Sequence, residues 1–267
     1  MVMDSTKRAR KAAALRGFPP HGLILGGLSE TVRLAKGSWI EAPSAVQARI
    51  VNGAYLRVGA FCNLNGGTLN NIVVGRYASI ASGVVTGTHE HPTDWLTTSR
   101  AAYYPELYGW DKLAAGAEAP SIHSRKAYYP ESCPITTLGP DVWIGQGAFI
   151  KSGVSIGAGA IIGARATVVK DVPPYAIVVG TPGRVLRLRF PEPVVERLLR
   201  VQWWQYSIYD LFDAPMDDIT RALDVIEDHV SSGRLAPFEG LVLRDEELTD
   251  LPAALARLEE RPLALAN

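Results

Sequence analysis

The sequence contains few cysteines, no long apolar run and no excess of either charge. Cys62 and Cys133 are its only cysteines, far apart and without metal-ligand spacing, so we expect two buried thiols, with no disulfide framework and no metal site. No apolar run approaches the roughly 18 residues needed to cross a bilayer. The start of the chain also lacks the apolar stretch of a secretory signal, which predicts a cytoplasmic protein without a membrane span.

Charge is balanced overall and uneven locally. The 27 basic residues match 27 acidic ones, so no net field holds a phosphate backbone and no nucleic-acid partner is expected. Residues 1–20 carry five basic side chains against Asp4, which is typical of a solvated tail. Residues 213–260 carry thirteen acids against four bases, an excess that the sequence leaves unexplained. Three roles stay open for the C-terminal region over 213–267: it caps the end of the coil, covers the groove or binds a partner.

What the sequence does contain is a six-residue period. Aliphatic residues recur at every sixth position, and glycine directly follows four of them: Leu138, Ile144, Ile150, Ile156, Ile162 and Val168, with Gly139, Gly145, Gly157 and Gly163. The same period holds upstream, interrupted by the polar Asn52 and by a slip of four residues before Val74: Leu34, Ile40, Val46, Val58, Leu64, Val74 and Ile80.

Neither an α-helix nor a two-sided strand repeats every six residues. A triangular solenoid does, with one short strand and one corner per hexad, the aliphatic side chain on the axis and a small residue in the corner. At eighteen residues a turn, 34–69 gives about two coils, 74–91 one and 136–173 two more. The chain is therefore predicted to be mainly β, a hexapeptide solenoid with a continuous aliphatic core.

Two segments depart from the period and define the predicted organisation. Residues 92–134 are long and rich in Trp and Tyr, which indicates an ordered excursion loop. Beyond Gly183, Val194–Trp204 and Ile219–Val230 have helical spacing, and Asp245–Leu263 suggests a further amphipathic helix. We expect an N-terminal basic tail and lead-in over 1–30, a β-helix domain over 31–190 that includes the excursion, and a helical region over 191–267.

Several motifs together resemble the hexapeptide-repeat acyltransferases, and within them the xenobiotic acetyltransferase group that acts on chloramphenicol and streptogramins. The resemblance covers about residues 50–210 and is carried by His91-Pro-Thr-Asp94, Pro134-Ile-Thr-Thr-Leu-Gly-Pro-Asp-Val-Trp-Ile-Gly145, Val169-Lys-Asp-Val-Pro-Pro-Tyr175, Gly180-Thr-Pro-Gly183 and Leu198-Leu-Arg-Val-Gln-Trp-Trp204. It implies a left-handed parallel β-helix, a homotrimer with active sites between subunits, and acetyl-CoA as co-substrate. The period alone fits either hand.

Acetyl transfer to a hydroxyl needs a base for the hydroxyl proton and donors for the oxyanion, and histidine suits the base role at neutral pH. The His-x-x-Asp spacing of the family selects His91 with Asp94, while His89 is the alternative base. Asp94 or Glu90 holds the imidazole tautomer or positions the acceptor, and an Asp94 that only caps the next turn is the structural alternative.

The resemblance also implies where coenzyme A binds. Lys170, Arg184 and Arg187 are the candidates for its phosphates, and a solvated basic rim is their alternative role. Small residues that admit close backbone approach point to contact with the pantetheine arm at four positions: Gly145, Gln146, Gly163 and Ala164. Trp143 packs beside that arm or against a neighbouring subunit. Trp203 and Trp204 are expected to pack on the solenoid.

The expected function is acetyl-CoA-dependent O-acetylation of a small molecule or saccharide. N-acylation of an amino sugar is the near alternative. A zinc-dependent hydratase on the same scaffold would need His89 or His91 to combine with a ligand such as His123, yet the hexads hold no histidine of their own, so no metal is expected. A non-catalytic solenoid scaffold is the remaining alternative. His21, His123 and His229 lack motif support and are assigned surface or packing roles.

Overall fold

The computed structural model describes residues 21–28, 32–113, 126–129 and 133–259. They divide into two compact units, of which Thr88–Pro134 is one and the chain before and after it is the other. Short strands dominate the larger unit. The strands are β1 Leu23–Ile24, β2 Trp39–Glu41, β3 Ser44–Val46, β4 Arg49–Ile50, β5 Leu56–Val58, β6 Cys62–Leu64, β7 Thr68–Leu69, β8 Ile72–Val74, β9 Ser79–Ile80, β10 Val85–Thr86, β11 Thr136–Leu138, β12 Trp143–Ile144, β13 Phe149–Ile150, β14 Ser155–Ile156, β15 Ile161–Ile162, β16 Thr167–Val168, β17 Ala176–Val179, β18 Arg184–Leu188 and β19 Val242–Arg244.

These strands enter three sheets in rotation, which makes the larger unit a parallel β-solenoid. The first sheet has the order β1-β3-β6-β9-β12-β15-β17-β18, the second β16-β13-β10-β7-β4 and the third β14-β11-β8-β5-β2-β19. All pairings among these strands are parallel except those of β18 with β17 and β19 with β2. The second sheet holds five parallel strands and so does the third without β19, whereas the first holds seven from β1 to β17, so the solenoid is longer than the five coils expected from the period.

The aliphatic column lies where the period predicts it. The side chains of Leu138, Ile144, Ile150, Ile156, Ile162 and Val168 are all at most 2% exposed and belong to one continuous core. Each stacks on its counterpart in the next coil, as Ile144 does on Ile162. Burying such a column supplies most of the stabilisation of a repeat fold, because apolar burial contributes roughly 25 cal/mol per Å².

Two irregularities upstream differ from the sequence interpretation. After Val46, the next side chain that points into the core is Ile50, only four residues later. Ile50 is buried and pairs with Leu69 in the second sheet. Asn52 is therefore not a gap in the column. It lies exposed at a corner, where its side-chain oxygen accepts a hydrogen bond from the Arg33 N–H at 2.9 Å.

The apparent slip of four residues has a similar cause. Leu64, Leu69 and Val74 are successive inward residues, so two steps have five residues in place of six. Each five-residue step is one residue short of the period, so the two steps together move the aliphatic pattern back by two positions. In a period of six residues, this is the same as moving the pattern forward by four positions. The coil is shortened here, and no residues are inserted.

The glycines after the column residues are required by coil spacing. A Cβ added to Gly157 would lie 2.4 Å from the Pro174 nitrogen, and one on Gly145 would lie 2.6 Å from the Ala164 nitrogen. Neither glycine has a positive φ. Successive coils thus approach too closely at these corners for any side chain, which confirms the predicted corner role.

Both cysteines are buried, as expected, and the two thiols are not joined to each other. Burial raises the pKa of the Cys62 thiol to about 12. The thiolate is the reactive form, and at pH 8 its population is on the order of one part in ten thousand for a group with that pKa.

We therefore expect Cys62 in the folded Cys133→Ser variant to resist a disulfide exchange reagent at pH 8. The same variant in urea should react at the rate of an ordinary thiol. Equal rates in the two states would show that Cys62 is not held in a closed core.

The C-terminal region contains the helices α1 Glu192–Val201, α2 Ile219–Ser231, α3 Asp245–Leu248 and α4 Leu251–Glu259. Short 3-10 helices complete the described elements: Arg100–Ala102, Leu107–Leu113, Trp203–Gln205 and Ile208–Leu211. Compared with the first predicted helix, α1 begins two residues earlier and ends three residues earlier, because Gln202 adopts a left-handed φ of 48°. The last predicted helix is interrupted at 249–250, and 260–263 lie outside the described residues.

This region packs along the solenoid and covers its N-terminal end. The Tyr77 hydroxyl donates to the Tyr206 carbonyl oxygen at 2.6 Å, and its ring lies 4.9 Å from that of Trp203. Further along, β19 pairs with β2, and four apolar side chains join the solenoid core: Leu243, Leu248, Ala254 and Leu258. The acidic region thus covers the first coil, a role that its composition did not indicate.

Candidate active site

His91 is exposed in the smaller unit, and a backbone carbonyl orients its ring. Its Nδ1 lies 2.6 Å from the Thr98 carbonyl oxygen. A carbonyl only accepts, so Nδ1 must carry the proton and donate it. The neutral ring then leaves Nε2 with a lone pair, which is the arrangement a general base requires.

A cluster of aromatic rings packs beside His91. Tyr103 is 6% exposed, with its ring centroid 5.9 Å from that of Trp95 and 5.0 Å from that of Tyr129. Its hydroxyl oxygen lies 3.4 Å from His91 Nδ1. The aromatic packing therefore fixes Tyr103, whose hydroxyl lies beside the same ring nitrogen that contacts Thr98.

Three other candidate residues lie close to His91 in the sequence. His89, Glu90 and Asp94 are exposed. Asp94 makes no hydrogen bond or ion pair with the residues that the structure describes. The group that sets the tautomer of His91 is the Thr98 carbonyl oxygen, which contacts Nδ1. The sequence did not indicate Thr98. A backbone carbonyl has no signature in a sequence, whereas Tyr103 belonged to the aromatic segment but had no spacing that tied it to His91.

In the larger unit, the residues proposed for the pantetheine arm lie on the last coils. Gly145 and Gln146 occupy the corner after β12, and Gly163 and Ala164 occupy the same corner one coil later. Trp143 is 52% exposed on the outer face of the first sheet. The exposed indole ring is a flat apolar surface, and its neighbour in the next coil is Ile161.

The three basic residues are exposed around the β17–β18 hairpin. Arg184 and Arg187 lie on β18, and their guanidinium groups donate to the nearby Gly183 and Leu188 carbonyl oxygens, each at 2.9 Å. Lys170 is exposed after β16. Within the described ranges none of the three forms an ion pair, so their charges are available to an anion.

The other histidines have the expected packing roles where the structure describes them. His21 is 2% exposed and its Nδ1 accepts the Leu23 N–H, while His229 is 4% exposed with Nε2 3.2 Å from Asp213. His123 lies outside the described residues. Among the residues described, no three His, Cys, Asp or Glu side chains cluster as metal ligands would. No described helix is long and apolar enough to cross a membrane.

Comparisons with known proteins agree with this architecture. Residues 135–170 match the family model for the bacterial transferase hexapeptide (six repeats). A probable macrolide acetyltransferase of Lysinibacillus sphaericus is 37% identical over 54% of this chain and 74% of its own length. The chain therefore belongs to the hexapeptide-repeat acetyltransferases and is related to their xenobiotic acetyltransferase group.

Two other relatives differ in how much they share. A chloramphenicol acetyltransferase of Agrobacterium fabrum is 37% identical over 51% of this chain, and the match spans only 60% of the relative's length. The acetyltransferase domain of PglB from Neisseria gonorrhoeae, solved with acetyl coenzyme A, is 18% identical over 68% of this chain and 64% of its own, with a TM-score of 0.38. That score is too low to support an inference about this chain.

Proposed function

We propose that this protein transfers an acetyl group from acetyl-CoA to a hydroxyl group of a small molecule or saccharide, with His91 as general base. The observation that carries the proposal is the 2.6 Å contact between His91 Nδ1 and the Thr98 carbonyl oxygen. That contact sets the tautomer that leaves Nε2 unprotonated. Family membership supports acetyl-CoA as the donor.

A single base, His91, is sufficient for both proton transfers of the reaction. Nε2 takes the acceptor's proton as its oxygen attacks the thioester carbonyl carbon. The C–S bond breaks as the tetrahedral intermediate collapses, and the imidazolium returns the proton to the coenzyme A thiolate. The products are an acetyl ester and free coenzyme A. Asp94 is proposed to position the acceptor, since its exposed carboxylate is free of described partners.

Acetyl-CoA is proposed to lie along the last coils, with its phosphates at the β17–β18 hairpin. Trp143, Gly145, Gln146, Gly163 and Ala164 would contact the pantetheine arm, and the exposed Lys170, Arg184 and Arg187 would hold the phosphates. Resemblance to the family supports a homotrimer with sites between subunits.

The first test is a thermal-shift titration with acetyl-CoA and coenzyme A, together with a mass measurement in solution. A ligand that binds only the folded state raises the melting temperature. Saturable stabilisation of a trimer would support the proposal. If the melting temperature does not change at millimolar ligand, the donor assignment is overturned and the scaffold alternative is favoured.

Acceptors can then be screened by release of coenzyme A. Chloramphenicol and macrolides come first, because relatives are named for them. Hydroxyl and amine forms of the same sugar separate O- from N-acetylation. Preference for the amine would overturn the hydroxyl assignment and leave acetyl transfer standing.

The Arg184→Ala/Arg187→Ala double variant is expected to weaken acetyl-CoA binding by on the order of 10- to 100-fold, because each arginine loses a charge-assisted contact with phosphate. Calorimetric titration measures the change. Arg200→Ala is the matched control, since Arg200 is an exposed arginine on α1. Unchanged binding in the double variant would assign both arginines to a solvated rim.

A further inference from the structure

A cavity of about 330 Å³ lies between the solenoid and the C-terminal helices, at a corner that the proposed reaction does not use. Tyr175 of the solenoid forms one wall and α1 and α2 form others. Most of its lining is apolar and includes Phe190, Leu198, Trp203, Leu211, Ala222 and Ile226. Its volume falls at the small end of the range for ligand pockets.

The cavity has one polar side chain with an unused proton. Tyr175 is 1% exposed, and its hydroxyl makes no hydrogen bond of normal geometry with the described residues. Burial raises the pKa of this hydroxyl, and the Trp203 side chain opposes that rise. An indole N–H has no lone pair, so it cannot accept the tyrosine's proton. A buried donor without an acceptor is costly, which favours a partner that accepts.

The charged groups at the solenoid end of the cavity neutralise each other. Arg189 donates to Asp141 at 2.9 Å and to the Gly159 carbonyl oxygen at 2.7 Å. Its guanidinium also lies over the rings of Tyr175 and Phe190, at 5.4 and 5.2 Å. The arginine is thus already engaged, and a charged ligand would have to displace Asp141.

The location separates this cavity from the proposed donor site. Asp141 and Tyr175 lie at the corner that precedes the first sheet, directly before β12 and β17. Gly145 and Gly163 lie at the corner that follows it. The outer face of the first sheet lies between the two corners, so a ligand in one site does not occupy the other.

We infer that this cavity is a second binding site, for a small uncharged molecule that has a flat apolar body and one hydrogen-bond acceptor for the Tyr175 hydroxyl. The body packs between the aromatic rings of Phe190 and Trp203 and the aliphatic side chains of α1 and α2. The acceptor takes the proton that the protein leaves unused. The inference does not depend on the proposed reaction.

Acetophenone and α-methylstyrene test it as matched probes, because they have nearly the same shape and only acetophenone has a carbonyl acceptor. Calorimetric titration of the full chain should show saturable binding of acetophenone. Tyr175→Phe should weaken that binding about fivefold or more, the worth of one hydrogen bond. Tyr175→Phe should change the affinity for α-methylstyrene by less than twofold, because the packing around the ring of the probe is kept.

Ala222→Phe fills the cavity and should abolish binding of both probes. Met216→Trp, at the exposed rim, is a second filling variant if Ala222→Phe does not fold, which a melting curve reveals. Failure of the wild-type protein to bind acetophenone up to its solubility limit would overturn the site. Equal acetophenone affinity in Tyr175→Phe, or binding retained in the folded filling variants, would overturn the assignment of these residues.

Discussion

Replacing His91 with alanine is expected to lower the rate of acetyl transfer by about 10²- to 10⁴-fold, the usual contribution of a general base. Affinity for acetyl-CoA should change less than twofold, because the substitution removes proton transfer and leaves the proposed phosphate and pantetheine contacts. A steady-state assay of coenzyme A release gives the rate, and calorimetry gives the affinity.

His89→Ala is the matched control, since His89 is another exposed histidine two residues away and has no described hydrogen bond. It should retain near-normal activity. Loss of activity in His89→Ala with retention in His91→Ala would transfer the base role to His89. Full activity in both variants would remove histidine catalysis altogether.

Leu243→Ala is expected to lower the free energy of unfolding by about 2–5 kcal/mol, the usual cost of truncating a buried leucine. Leu243 is fully buried, and β19 pairs it with Ile40 of the first coil. The substitution therefore opens a cavity where the tail closes the aliphatic column. Urea unfolding followed by circular dichroism measures the loss.

Val242→Ala is the control for this change, because Val242 neighbours Leu243 on the same strand and is only partly buried. It should cost about 1 kcal/mol or less. If Leu243→Ala costs no more than Val242→Ala, β19 does not close the core, and the acidic region has another role.

The solenoid was predictable because its stability is local and repetitive. Each aliphatic residue such as Ile144 or Ile162 buries itself on a neighbour eighteen residues away, so burial leaves a fixed period in the sequence. The shortened steps around Leu69 were not predictable, because a five-residue step has no composition of its own. The parallel strands confirm the parallel solenoid that the resemblance indicated, and the rotation of the strands through three sheets confirms the triangular coil that the period indicated.

The candidate site was predictable only in part. The family's His-x-x-Asp spacing selected His91, whereas Thr98 contributes a carbonyl that every residue type possesses. Tyr103 reaches His91 through the packing of its ring on Trp95 and Tyr129, and such packing has no fixed spacing. The roles of Lys170 and the two hairpin arginines stay predictions.

By itself the amino-acid sequence determined the class of fold and the core residues of the later coils, because side-chain polarity and corner size repeat every six positions. Its motifs, and not the period, indicated the family. The tertiary structure alone decided what orients His91, how the tail covers the first coil and where Tyr175 meets a cavity. Those features depend on backbone groups and on residues up to about two hundred positions apart, as in the pairing of Leu243 with Ile40. Contacts of that kind are set by three-dimensional packing, and no local pattern encodes them.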